Sequence, residues 1–255
     1  RLRATTGSTG SQSTAAYNAI ASYNYFLDSH YNNLLGAQLT SMRNETLKWQ
    51  QKMEYNFGID FNYKNRYALS FEYYIQTTNN TVNPIDLVPS TGFSTVSENI
   101  GKVENRGFDA SVSAVAWQNP ADRSYLRFSL MMSHNKNTLK EISEAMKSYN
   151  EQQTALATSS NKPLSKYYDG VSMDAIWAVP SLGIDPATGK EIYLVTDEDG
   201  NQYRTFTYDG NKQVVCGDAL PKINGNAGIS FEYKGFGFNA VCTYRWGGKM
   251  YNTTL

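Results

Sequence analysis

Apolar and polar residues alternate with period two through much of the chain. Tyr55, Phe57, Ile59 and Phe61 alternate with Glu54, Asn56, Gly58, Asp60 and Asn62. After a short polar turn, Tyr63-Lys64-Asn65, the residues Tyr67, Leu69, Phe71 and Tyr73 alternate with Ala68, Ser70, Glu72 and Tyr74. Period two sends successive side chains to opposite faces of a sheet, so two such runs around a short turn predict a β-hairpin. The pattern recurs as Phe108, Ala110, Val112, Ala114 and Ala116, then the turn Asn119-Pro120-Ala121-Asp122, then Leu126, Phe128, Leu130 and Met132. A third copy runs through Ala227, Ile229, Phe231 and Tyr233, turns at Lys234-Gly235, and returns through Phe236, Phe238, Ala240, Cys242 and Tyr244. Leu2, Ala4 and Thr6 predict one more strand at the start.

Alternation alone fits two architectures. In a soluble sandwich the apolar face packs on a second sheet. In a membrane barrel it meets lipid, and the polar face lines a wet lumen. Three features favour the barrel. The turns near 63, 120 and 235 are short, whereas the stretches 9–46, 79–98 and 138–221 are long. Alternating short and long connections place every short turn at one end, as in outer-membrane barrels, and structureless loops of such length are uncommon in compact soluble domains. Aromatics crowd the short turns: Phe61, Tyr63 and Tyr67; Trp117 and Tyr125; Tyr233, Phe236 and Phe238. An interfacial girdle predicts this, though β-propensity also enriches Tyr and Phe. Finally, the strands expected over 47–62 and 99–118 exceed the ~9–11 residues needed to cross a bilayer.

Composition narrows the function classes. The 255 residues carry 23 Lys+Arg against 23 Asp+Glu, which argues against a nucleic-acid partner. With 13% aromatic and 18% charged residues, the chain is not intrinsically disordered. Mean hydropathy is −0.52 and no apolar run approaches the ~18 residues of a membrane helix, a test that β-strands escape. Cys216 and Cys242 are read as two free thiols, with one disulfide as the alternative. Neither a histidine-rich metal site nor a Ser-His-Asp or Cys-His arrangement is expected from His30 and His134. The opening Arg-Leu-Arg shows no signal peptide. That opening and the ending Thr253-Thr254-Leu255 suggest a piece of something longer.

Several motifs together carry a family resemblance. Leu47-Lys48-Trp49-Gln50 precedes Tyr55-Asn56-Phe57-Gly58-Ile59-Asp60-Phe61. Val88-Pro89-Ser90-Thr91-Gly92-Phe93 precedes the run from Glu98 through Asn99, Gly101, Asn105 and Gly107 to Phe108-Asp109. Gly183-Ile184-Asp185-Pro186-Ala187-Thr188-Gly189-Lys190-Glu191-Ile192-Tyr193, Gly217-Asp218-Ala219-Leu220-Pro221-Lys222 and Tyr233-Lys234-Gly235-Phe236 follow. In this order they resemble the barrel region of SusC/RagA-type TonB-dependent outer-membrane transporters of Bacteroidetes. Asp109 stands where that family usually has Glu. The resemblance implies an all-β fold: a transmembrane antiparallel β-barrel of about 22 strands around a plugged lumen, with short periplasmic turns and long external loops. About seven strands are expected here, so residues 1–255 are read as one partial barrel domain lacking the plug, the N-terminal extension and the last strands. The implied activity is TonB-dependent uptake of oligosaccharides or peptides at the outer membrane. The implied partners are a SusD-like surface lipoprotein, TonB acting through the plug, the substrate and the lipid bilayer. No cofactor, metal or enzymatic activity is implied. The alternative from a different class is a secreted soluble β-sandwich that binds glycans.

Within this reading each motif has a bland counterpart. The Asn99-x-Gly101-x-x-x-Asn105-x-Gly107 array lacks the strand-to-helix context of a phosphate loop, because alternation resumes at Phe108. Its glycines are expected at a bulge or a close strand approach. Asp197-Glu198-Asp199-Gly200-Asn201 resembles a calcium loop, but Tyr208 stands where the closing Glu would be, so a hairpin turn is expected. Glu54, Asp60, Glu72, Asp109, Glu232 and Arg245 are expected to line the lumen, with no spacing that converges two carboxylates. Leu139, Ile142, Ala145 and Met146 have helical spacing, and the Gln/Ala/Thr/Ser stretch that follows is expected to be mobile. Tyr167, Tyr168 and Trp177 are the candidates to contact substrate or partner, against the reading that they pack within their own loop.

Overall fold

A computed structural model describes residues 1–11, 21–31, 34–87, 89–157, 165–197 and 200–251. The expectations for Val88, for Glu198 and Asp199, for 158–164 of the mobile stretch and for Thr253-Thr254-Leu255 lie outside these residues. The elements run β1 (Leu2–Ser11), β2 (Ser22–Tyr31), β3 (Leu34–Ser41), β4 (Gln50–Tyr63), β5 (Tyr67–Asp86), β6 (Thr95–Asn119), β7 (Ser124–Ile142) and α1 (Glu144–Ala157). They continue with β8 (Ala175–Ala178), β9 (Ser181–Ile184), β10 (Glu191–Thr196), β11 (Gln202–Thr205), β12 (Val214–Asp218), β13 (Ile223–Tyr233) and β14 (Phe236–Trp246).

Seven strands form one antiparallel sheet in the order β1-β4-β5-β6-β7-β13-β14. Within the described residues the sheet stays open, with β1 and β14 as its edges. The three tight turns gather at one end. Lys64 and Asn65 both have φ 51, and Arg66 N donates to Tyr63 O at 3.0 Å. Lys234 and Gly235 have φ 47 and 93. Two successive positive φ values match the right-handed strand twist in a tight hairpin. At the third turn Asn119 Oδ1 accepts from Ala121 N at 3.2 Å, and Arg123 takes φ 50.

Register places the predicted apolar set on a single face. Ala4 lies opposite Phe57, Phe57 opposite Tyr73, and Tyr73 opposite Phe108. Val112 lies opposite Leu130, Leu130 opposite Ala227, and Ala227 opposite Cys242. This face is uncovered: Phe57 is 54%, Phe128 46% and Phe238 59% exposed. A sandwich would bury such side chains, and among the described residues no second sheet lies on them. At the tight-turn end the same face carries Tyr63, Tyr67, Trp117, Tyr233 and Phe236. Trp117 and Tyr233 have ring centroids 6.3 Å apart, and the ammonium groups of Lys64 and Lys234 lie 5.2 and 5.5 Å from the Tyr63 and Tyr233 ring centroids.

Four expectations are corrected. A bulge between Val115 and Trp117 shifts the phase, so Trp117, not Ala116, continues the apolar row opposite Leu126. Tyr125, next to Leu126 on β7, faces the polar side, opposite Glu232. The stretch 79–98 is not a long loop: β5 and β6 run on through it and leave only 87–94 between them. Leu139 and Ile142 belong to β7, and the helix begins at Glu144.

The small buried core sits at the end away from the turns. Ile85, Ile100, Val103 and Leu139 from β5, β6 and β7 meet Met146 and Tyr149 of α1. Val103 and Leu139 are opposite each other and share a face with Asn105 and Asn137, two residues further along each strand. The helix therefore packs on the polar side of the sheet.

Candidate functional site

The polar face is organised by cross-strand rows. One row crosses all seven strands: Arg3, Gly58, Glu72, Asp109, Ser133, Asn224 and Arg245. Arg3 reaches over Gly58, where an added Cβ would lie 3.0 Å from its guanidinium. From there its Nε donates to Asp60 Oδ2 at 2.8 Å, and its second nitrogen lies 3.6 Å from Glu72 Oε2. Ser70 donates to Asp60 Oδ1 at 3.0 Å. Glu54 accepts from Asn56 at 2.8 Å and pairs with Lys52 at 3.1 Å. By register Glu54, Asp60, Glu72, Asp109, Glu232 and Arg245 all share this face. The sequence missed that Glu72 and Asp109 lie directly opposite each other, and that Arg3 joins the row. Glu72 and Asp109 border an open depression of about 410 Å³ that also includes Ser133, Asn224 and Arg245. Such a face can hydrogen-bond a passing polar solute at many points.

Above that row lie the motif residues, whose contacts are within the sheet and with the chain beside it. Gly101 sits where β6 shifts register, with φ 121, and a Cβ there would lie 2.0 Å from Glu141 O. At Gly107 a Cβ would lie 2.5 Å from the Tyr74 hydroxyl, which crosses the glycine to donate to Asn135 Oδ1 at 3.3 Å. Asn105 Oδ1 accepts from Asn135 at 3.3 Å and Asn137 at 3.0 Å. Asn99 ties the chain before β4 to the sheet: Lys48 N donates to its Oδ1 at 2.7 Å, and its Nδ2 donates to Lys48 O at 3.0 Å. Phe108 lies on the apolar face, stacked on Phe71 at 5.9 Å.

The three loop aromatics separate. Tyr167 packs into the core beneath α1, its ring 6.0 Å from Tyr149. Its peptide is clamped by the buried Asn150, whose Oδ1 accepts from Tyr167 N at 2.9 Å and whose Nδ2 donates to Tyr167 O. Tyr168 remains 41% exposed and meets the Trp177 ring at 5.2 Å. Trp177 stands on β8, which pairs with β12, and its buried Nε1 has no partner. Nothing in the local pattern marks the Asn150 clamp, because an Asn inside a polar helix stretch is unremarkable until the loop returns to it.

A three-stranded sheet is formed by β9, β10 and β11, with β10 and β11 paired antiparallel. Asp197 Oδ1 accepts from Asn201 N at 2.7 Å, Gly200 has φ 85, and the hairpin expected from the sequence is present. Tyr193 on β10 donates to Glu191 Oε2 at 2.6 Å. That hydrogen bond, with burial and the Glu191 charge behind it, pushes the phenol up to about 12. Cys216 and Cys242 are both free thiols. Among the described residues no three His, Cys, Asp or Glu side chains group to hold a metal, and no helix is long and apolar enough to cross a membrane.

No protein-family model matches the chain. It is 25% identical over 98% of its length to a TonB-dependent receptor of Formosa agariphila, and 27% identical over its whole length to a second from that organism. It is 25% identical over 77% of its length to the TonB-dependent receptor SusC of Bacteroides thetaiotaomicron. Those matches span 27%, 26% and 19% of the relatives, so the chain covers about a quarter or less of their length. The fold matches a structure of the RagAB peptide transporter with a TM-score of 0.75 at 21% identity, over 96% of this chain and 26% of that one. The RagAB peptide importer in its closed-closed state gives a TM-score of 0.74 at 22% identity, over 97% of this chain and 26% of that one. These relatives are named as receptors and transporters, not as enzymes. Sequence and fold together relate this chain, along nearly its whole length, to the TonB-dependent receptors of the SusC/RagA type.

Proposed function

We propose that the chain is part of the barrel wall of an outer-membrane, TonB-dependent importer. The observation that carries this reading is the division of one open sheet into an uncovered apolar face and a continuous polar face, with every tight turn at one end. On β5 the apolar belt runs from Tyr67 to Ile75, nine residues, which matches the ~9–11 residues of a bilayer-crossing strand. The belt meets lipid, the turns face the periplasm, and β5, β6 and β7 project beyond the membrane to hold α1 and the loops. In the whole protein, residues 1–255 form a partial barrel domain within a barrel of about 22 strands around a plug.

The substrate class is an oligosaccharide or peptide too large for passive pores. The polar rows line its path, while Tyr168 and Trp177 at the outer rim touch the substrate or a SusD-like lipoprotein lid. Tyr167 serves by holding the loop that presents them. TonB acts through the plug.

The test is an intact mass of the protein from its native cells after separating soluble and outer-membrane fractions. The expected result is a membrane-bound chain several times heavier than 28.6 kDa, with a lipoprotein co-purifying. A soluble chain of 28.6 kDa would overturn the reading and favour a glycan-binding sandwich.

A further inference from the structure

A cavity opens on the polar side of the sheet, at the end away from the turns. It encloses about 440 Å³, in the lower part of the range of small-ligand pockets. β5 and β6 supply its floor, where Ile85 lies opposite Val96. Ala145 and Tyr149, one helical turn apart on α1, form one wall, and the chain from Met42 to Glu45 forms another. Ile85 stands roughly 30 Å along β5 from Ile75, where the apolar belt ends, so the cavity meets water and not lipid.

The charges at its mouth do not balance. Arg43 pairs with Glu45. Glu98 follows Val96 on the same face of β6 and lines the cavity. It has no salt-bridge partner among the described residues. The cavity therefore joins an apolar floor to one unneutralised carboxylate. Alternate residues of a strand lie about 7 Å apart, a span that an ammonium group and an apolar side chain on the same carbon can bridge. A sugar ring, covered in hydroxyls, would leave donors unpaired against such a floor. The one aromatic wall residue, Tyr149, is 4% exposed and packs against Tyr167, so it offers no open face. The Asn44 amide is engaged: its Nδ2 donates to Ser97 O at 2.9 Å, and its Oδ1 accepts from Thr46 N at 3.0 Å and Thr46 Oγ1 at 2.8 Å.

We infer that this cavity is a subsite for the amino-terminal residue of a peptide, whose apolar side chain enters over Ile85 and Val96 and whose α-ammonium donates to Glu98. The inference rests on the importer reading above and narrows its substrate class to peptides. Burial of the side chain supplies affinity. The charge-assisted hydrogen bond to the carboxylate supplies orientation.

The test uses the intact transporter, purified from the outer membrane with any lipoprotein that accompanies it. Leucyl-triglycine, its N-acetyl derivative, tetraglycine and maltotetraose are the probes, and isothermal titration calorimetry is the readout. Leucyl-triglycine binds at least about tenfold more tightly than tetraglycine, the effect of burying one leucine side chain. N-acetylation, which removes the positive charge, weakens its binding about tenfold. Glu98→Gln abolishes the difference between leucyl-triglycine and its acetyl derivative. Ala145→Leu fills the cavity and abolishes the difference between leucyl-triglycine and tetraglycine. Ala145 is exposed and leucine is a good helix former, so α1 persists in this variant. Heat-modifiable gel mobility reports the folded barrel independently. Equal binding of leucyl-triglycine and tetraglycine by wild type, or an undiminished leucine preference in folded Ala145→Leu, overturns the subsite and leaves the importer reading intact. Equal binding of the free and acetylated peptides overturns Glu98 as the ammonium acceptor. Maltotetraose that competes with leucyl-triglycine, and no longer binds Ala145→Leu, overturns a peptide as the ligand. A wild-type protein that never enters the membrane fraction overturns the barrel reading itself, and this inference with it.

Discussion

Replacing Phe71 by Arg puts a charge at the middle of the apolar belt. Phe71 lies halfway between Tyr67 and Ile75 on β5, opposite Ile59 on one side and Ala110 on the other, and stacks on Phe108 at 5.9 Å. A cation facing lipid at the bilayer midplane costs about 2–4 kcal/mol. Loss of the stacked pair adds about 1 kcal/mol. The charge alone lowers the folded-to-unfolded ratio at least about 30-fold, at 1.36 kcal/mol per tenfold change. Ser129→Arg is the control. Ser129 lies on the opposite face, between Ser113 and Gly228 in register, where an added guanidinium stays in water. Its expected cost is within about 0.5 kcal/mol. Urea titration of the full-length protein in lipid vesicles, read by heat-modifiable mobility, measures both. Equal tolerance of the two substitutions, or greater tolerance of Arg at 71, would refute the assignment of lipid and lumen faces.

Two further predictions concern single contacts. Gly107→Ala should destabilise the barrel by about 1–3 kcal/mol, because its Cβ meets His134 O at 2.2 Å as well as the Tyr74 ring. Adding Tyr74→Ala should not restore the urea midpoint, since the backbone carbonyl remains; full rescue would show that only the ring objects. Tyr193 should be among the last tyrosines to ionise, at about pH 12 in place of the ordinary 10.0. Its folded-state value is raised, so its contribution to loop stability is present below pH 10 and is lost as pH rises through about 12. The phenolate absorbance difference between wild type and Tyr193→Phe checks this, and a difference titrating at 10 would contradict it.

The strands of the belt were legible because one apolar and one polar face impose a strict period of two on β4, β5, β13 and β14, and tight turns leave their own residue types at 63–66 and 234–235. The legibility fails where that contrast fails. Residues 79–98 are rich in Thr, Asn and Ser with no apolar-polar contrast between the faces, so their continuation as strand is invisible to periodicity. The bulge at Val115–Trp117 breaks the period by one residue inside an otherwise apolar run, so Ala116 reads as a wall residue; Tyr125 reads as part of the girdle by its nearness to the turn, although alternation with Leu126 puts it on the polar face.

Sequence alone therefore determined which residues share the apolar face and which the polar face along most of each strand, since that choice is local and repeats every second position. Tertiary structure decided what meets across strands. Register sets Glu72 against Asp109 and Arg106 against Lys136, folds α1 onto the polar side, and closes the Asn150 clamp on Tyr167. These pairs lie between 17 and 37 residues apart in the chain. Their meeting depends on the summed length of strands, bulges and turns between them, a quantity that no local pattern contains.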